Sequence, residues 1–174
     1  MSLNGTYTIP EEFQSLYAWW GSILILEMMV LIWFTGQTRV KTQTIHSEED
    51  RRWLENPNVT LHPNGGGHPS VHRIRSAHFN DLKIILPFLL MTPIWLTTSP
   101  HQFIVKWFIR LFSMCKIFDT ICCMELIKAP GASTVLLTIC YGILCYIGIS
   151  SWLFYSILQG HSIEEASTLN NVIS

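Results

Sequence analysis

The sequence predicts an all-α, integral membrane four-helix bundle, and three observations carry that prediction. Hydrophobic residues make up 49% of the 174 and charged residues only 13%, about half the charged share usual in soluble domains. Apolar runs long enough to cross a bilayer recur along the chain, and residues 28–37 and 132–159 contain no charge at all. A soluble bundle would need a polar face on every helix, and these stretches have none. Seven Trp also suit a protein with two membrane–water interfaces to anchor.

The first helix is expected over about 14–38, broken only by Glu27. About twenty residues at 1.5 Å rise span the roughly 30 Å hydrocarbon core. The second, 73–97, carries Lys83 and Pro93; its apolar part is short, so the helix must begin near Arg73. The third, 102–127, holds Lys106, Arg110, Lys116, Asp119 and Glu125, while the fourth, 132–158, is uncharged. The segment 39–72 is polar and turn-rich, with Pro57, Asn64, Gly65, Gly66, Gly67 and Pro69, and reads as a surface excursion. The tail 159–174 reads as mobile, and the whole chain as a single transmembrane domain.

Orientation follows from the distribution of cations. Arg39, Lys41, Arg51, Arg52, Arg73 and Arg75 crowd the long loop and Lys128 the turn before helix four. The N-terminal segment, the turn near 97–102 and the tail contain no Lys or Arg, so the loop is expected in the cytosol and both termini in the lumen. Glu11 and Glu12 precede the first apolar run where a signal peptide would be basic, so that run is expected to stay as an anchor. Of two sequons, Asn4-Gly5-Thr6 and Asn58-Val59-Thr60, only the first would be lumenal.

Several classes are disfavoured. A net charge of −1 offers no basic surface to displace counterions from nucleic acid. The five cysteines, Cys115, Cys122, Cys123, Cys140 and Cys145, lie in apolar stretches without zinc spacing, and read as small apolar residues. His62, His68 and His72 flank a glycine run with no carboxylate or thiol beside them, so no metal site is read there.

Chemistry, if present, must lie between the helices. An ionisable group facing lipid costs ~2.5–3.5 kcal/mol, so such groups point at one another, at water or at a polar ligand. Lys116, Asp119, Thr120 and Cys123 fall at i, i+3, i+4 and i+7, on one face. Arg73, Ser76, Asn80 and Lys83, with Arg75 and His78 nearby, form a second polar stripe. Spacing alone fits two readings equally: a site for an anion with an apolar part, or a structural ion-pair network.

The segment from Arg73 through Ile74-Arg75-Ser76-Ala77-His78-Phe79-Asn80-Asp81-Leu82-Lys83 to Pro87-Phe88 resembles the signature of the microsomal glutathione transferase and prostaglandin E synthase family. Thr35-Gly36-Gln37-Thr38-Arg39, then Ser47-Glu48-Glu49-Asp50, resembles the end of that family's first helix and its cytosolic loop; Lys128-Ala129-Pro130 resembles the turn before its fourth. The resemblance implies a homotrimer in the endoplasmic reticulum that binds glutathione between subunits. Its thiolate would attack lipophilic electrophiles or lipid hydroperoxides arriving from the bilayer between helices one and four. It implies glutathione binding by Arg39, Arg73, His78, Asn80 and Lys116, and catalytic parts for Lys116, Asp50 and Ser133. The alternatives are a catalytically impaired lipid-binding member and a prostaglandin E synthase-like isomerase.

Four positions depart from the family pattern. Ser76 and Ala132 replace arginines, Cys123 a tyrosine, and Lys83 a glutamate that receives the ammonium of glutathione. Each lost arginine weakens a carboxylate grip by ~1.5–3 kcal/mol. Lys116 stands for an arginine, keeping charge but losing the planar fork. Because relatives carry lysine where this chain has Glu27, Glu27 and Lys83 are expected to form an ion pair with its ends exchanged.

Overall fold

The computed structural model describes residues 9–45, 59–61, 68–124 and 131–173. Its four helices are α1 (Glu11–Thr42), α2 (Pro69–Leu96), α3 (Gln102–Cys123) and α4 (Ala132–Ile173). Between α1 and α2, β1 (Thr44–Ile45) pairs in parallel with β2 (Thr60–Leu61), a small element that the polar reading of the loop did not foresee.

Local chemistry sets the helix ends. His68 caps α2, its Nδ1 accepting from the Ser70 N–H at 3.3 Å, with Pro69 at the first helical position, where a missing N–H costs nothing. His101 caps α3 in the same way through the Phe103 N–H. Gln43 closes α1 in the left-handed conformation. Gly131, at φ 91, enters α4 through a backbone angle that a side chain would strain.

Three helices, α1, α2 and the Ala132–His161 part of α4, are long and apolar enough to cross a membrane. The chain is thus a multi-pass membrane protein. α3, at about 33 Å for its 22 residues, is long enough but is set apart from these three by the charges the sequence places on it, Lys106, Arg110, Lys116 and Asp119. One face of it is buried, with Val105, Ile109, Phe112, Ser113, Cys115, Lys116, Asp119 and Thr120. One discrepancy is at the C-terminus. The helix expected to end near 158 continues to Ile173, since Gly160 alone costs a helix only about 1 kcal/mol and no proline follows.

α1 and α4 lie on opposite sides, each packed against both α2 and α3. The core between them holds Leu24, Ile84, Phe88, Ile109, Phe112, Cys140 and Ile147. Phe88 and Phe112 stack at 3.8 Å between centroids. Gly21 lets α1 approach α2, because a Cβ there would stand 3.3 Å from Leu89. Pro93 has no N–H for the Leu89 carbonyl one turn back; the Tyr17 hydroxyl of α1 donates to that oxygen at 2.7 Å instead. Outward faces are apolar, with Trp19, Trp33, Trp107 and Trp152 exposed, as anchors facing lipid should be.

Candidate functional site

The α3 stripe closes on itself. Lys116 is fully buried and its Nζ lies 2.6 Å from Asp81 Oδ1 and 2.7 Å from Asp119 Oδ2. Thr120 donates to Asp81 Oδ2 at 3.0 Å. Ser133, in the first turn of α4, donates to Asp119 Oδ1, and Asn80 Nδ2 donates to Asp119 Oδ2 at 3.4 Å. The spacing that put Lys116, Asp119 and Thr120 on one face therefore serves to pair them with one another and with Asp81 of α2. The ammonium has two carboxylate partners and no exposure.

Glu27 joins this cluster from α1. Its carboxyl group lies beside Thr120 and within electrostatic reach of Asp81, Lys116 and Asp119. Its Oε2 is buried without a hydrogen-bond partner among the described residues. Lys83 does not meet it. That lysine is exposed, its Nζ 4.5 Å from the centre of the Phe79 ring. The expected Glu27–Lys83 pair is thus replaced by a Glu27–Lys116 neighbourhood. Stability changes in Glu27→Lys and Lys83→Glu should add to within ~0.5 kcal/mol in the double variant. A rescue well beyond that, measured by detergent unfolding, would restore the pair.

The α2 stripe opens outward. At the end of the bundle where α2 starts and α3 stops, a cleft of about 660 Å³ is lined by Arg73, Ser76, Asn80, Lys83 and Cys123, with Pro69, His72, Ala77 and Phe79 completing its wall. Three basic residue types meet there, and among the described residues no carboxylate lines it. The two stripes touch at Asn80, which faces the cleft and also bonds Asp119. Cys123, 3.5 Å from Ser133 Oγ and 3.7 Å from Asp119 Oδ1, is a second bridge.

The predicted site residues are therefore split. Arg73 and Asn80 share the cleft. Lys116 is sealed behind them and Ser133 holds Asp119. Arg39, in the last turn of α1, has a buried Nε without a hydrogen-bond partner among the described residues, as does His78 Nδ1. Asp50 lies outside the described residues, as do Glu125, Lys128, Pro130, His62 and the two asparagine acceptors. His72 and Phe79 were missed; the signal was their place at one helical turn from Ser76 and Lys83. Among the described residues α1 and α4 are not packed side by side.

These features define a membrane-embedded helical bundle with an internally paired polar core and a cationic cleft at one end. No protein-family model matches the chain. It is similar to prostaglandin E synthases: 25% identical over 117 residues to that of Bos taurus, covering 64% of this chain and 70% of the relative. The Homo sapiens protein is 25% identical over 109 residues, covering 63% and 68%, and that of Macaca fascicularis gives the same figures. The resemblance read from the sequence is borne out by this weak but consistent similarity across several species.

Proposed function

We propose that the chain is a glutathione-dependent membrane enzyme acting on a lipophilic electrophile or lipid hydroperoxide, with the cleft as the glutathione site. The observation that carries this reading is the meeting of Arg73, Asn80 and Lys83 in one water-accessible cleft of about 660 Å³, in a chain similar to prostaglandin E synthases. Glutathione brings two carboxylates, which cations accept. Arg73 and His72 at the rim and Asn80 deeper in are placed to hold them. The buried Lys116 has a positioning part: it fixes Asp119, and through it Asn80 and Ser133. Arg39 and His78, each with a buried nitrogen that has no partner among the described residues, are groups that a neighbouring subunit's ligand would meet in a homotrimer. That assembly, α3 as a crossing helix, the endoplasmic reticulum and lumenal termini belong to the same proposal. Asp50 would act from the loop, as in the prostaglandin synthase branch, and isomerisation is the alternative reaction.

A second reading rests on the absence of any carboxylate from the cleft's lining among the described residues. A non-catalytic member would hold an anionic lipid there, with nothing required to receive an ammonium. Calorimetry on purified protein separates the two. The enzyme reading expects glutathione to bind at millimolar concentration or below and to conjugate an aryl halide. Arg73→Ala should lower the second-order rate by at least about tenfold, the effect of losing one charge-assisted hydrogen bond. No glutathione binding at millimolar concentration would leave the lipid-binding reading.

A further inference from the structure

A second cationic cleft lies at the opposite end of the bundle. It has a volume of about 350 Å³ and is lined by Glu12, Ser15, Leu16 and Trp19 of α1 with Lys106 and Arg110 of α3. Lys106 meets Glu12 at 2.5 Å, which leaves Arg110 as the uncompensated charge. Arg110 is exposed and has no ion-pair or hydrogen-bond partner among the described residues. It sits eight residues beyond Gln102, about 12 Å along the axis at 1.5 Å per residue.

That depth is the difficulty. With α3 crossing the bilayer as proposed above, a guanidinium so far below the helix end, on an outward face with Trp107 and Leu111 exposed beside it, lies within the apolar part of the membrane. Such a charge is costly unless it reaches an anion or the headgroup layer. Trp19, 67% exposed, lines the same cleft two turns along α1 from Glu12 and provides an apolar surface for a chain lying along that helix. A cation above a lipid-facing apolar wall fits one ligand chemistry, a negatively charged head joined to an acyl chain.

We propose that the cleft between α1 and α3 is a binding site for an anionic lipid of the surrounding leaflet. The phosphate sits between Lys106 and Arg110, and one acyl chain runs down past Leu16 and Trp19. The source is the membrane, because the cleft lies between α1 and α3 beside exposed apolar side chains, Trp19, Trp107 and Leu111. The site is separate from the cleft around Arg73 and independent of any glutathione chemistry there.

With Lys106, Arg110 and Glu12 the cleft carries one net positive charge. A single cation near an anionic headgroup is worth ~1 kcal/mol, or about fivefold in occupancy. The test is native mass spectrometry of the full chain released from nanodiscs of equal parts phosphatidylcholine and phosphatidylglycerol. Wild type should retain phosphatidylglycerol about fivefold over phosphatidylcholine, with no loss when inorganic phosphate is added. Arg110→Gln should remove the preference, and Arg110→Lys should keep most of it. Equal retention of both lipids by wild type overturns the proposal even if the variants do not fold. So does an unchanged preference in Arg110→Gln, competition by free phosphate, or loss of a subunit contact in place of lipid.

Discussion

Changing Lys116 to Met should largely abolish folded protein, while the triple change Lys116→Met, Asp81→Asn and Asp119→Asn should recover most of it. Met keeps the length and apolar stem of lysine but leaves two carboxylates facing each other in a site without solvent. Removing one partner of a buried ion pair costs ~3–5 kcal/mol, because the remaining charge is uncompensated. That is a large part of a stability of roughly 5–15 kcal/mol. Neutral amides can still bond Thr120 and Ser133, so the three changes together leave no opposed carboxylates, and Glu27 is the cluster's one remaining carboxyl group. Fraction of monodisperse protein in detergent, followed by unfolding in dodecyl sulfate, measures the effect. Were Lys116 held for a ligand, the single change would spare the fold and weaken only binding.

The fold was legible where composition dictated it. Uncharged stretches such as 132–159 leave no soluble alternative, and α1, α2 and α4 follow from them. What composition could not show is how α3 tolerates its charges, because that depends on which residues of α2 face it across the bundle. Asp81 looked like one member of a family segment; only packing makes it the partner of Lys116. The same holds for Tyr17, whose acceptor exists because Pro93 left the Leu89 carbonyl unbonded. The helical continuation past 158 was missed for a different reason. A polar tail and a helix projecting beyond the apolar span look alike in hydropathy, and α4 at 42 residues is about 63 Å long, twice a hydrocarbon core.

The site was legible in half. The stripe on α2 from Arg73 to Lys83 lines one cleft as its spacing implied. The stripe on α3 took the structural alternative, since Lys116, Asp119 and Thr120 all find partners inside the chain. Family matching carried Lys116 over as a ligand-binding cation because position and charge agree, but matching is blind to whether the charge is already spent on Asp81 and Asp119. Glu27 illustrates the converse. Its charge reversal was seen from sequence, yet Lys83, the nearest reversed partner by type, faces Phe79 and the cleft.

That orientation of Lys83 leads to the second large effect. In the proposed glutathione complex, an ammonium of the ligand and the Lys83 ammonium occupy one cleft with no carboxylate among its described lining residues to separate them. Lys83→Glu should therefore tighten glutathione while leaving the fold intact, since Lys83 is exposed and its described contact is the Phe79 ring. Exchanging a repulsive for an attractive charge, each worth ~1 kcal/mol in a partly solvated cleft, gives ~2 kcal/mol, or about thirtyfold in Kd. The gain should shrink as salt rises, because an open cleft is screened. A ligand without the ammonium reverses the sign: S-substituted glutathione with its amine acetylated should bind the wild type better than Lys83→Glu. Calorimetry with the two peptides against the two proteins gives four constants, and their double difference isolates the Lys83–ammonium interaction. A double difference near zero would mean that the peptide's amine points away from Lys83, and the proposed orientation of glutathione in this cleft would have to be abandoned.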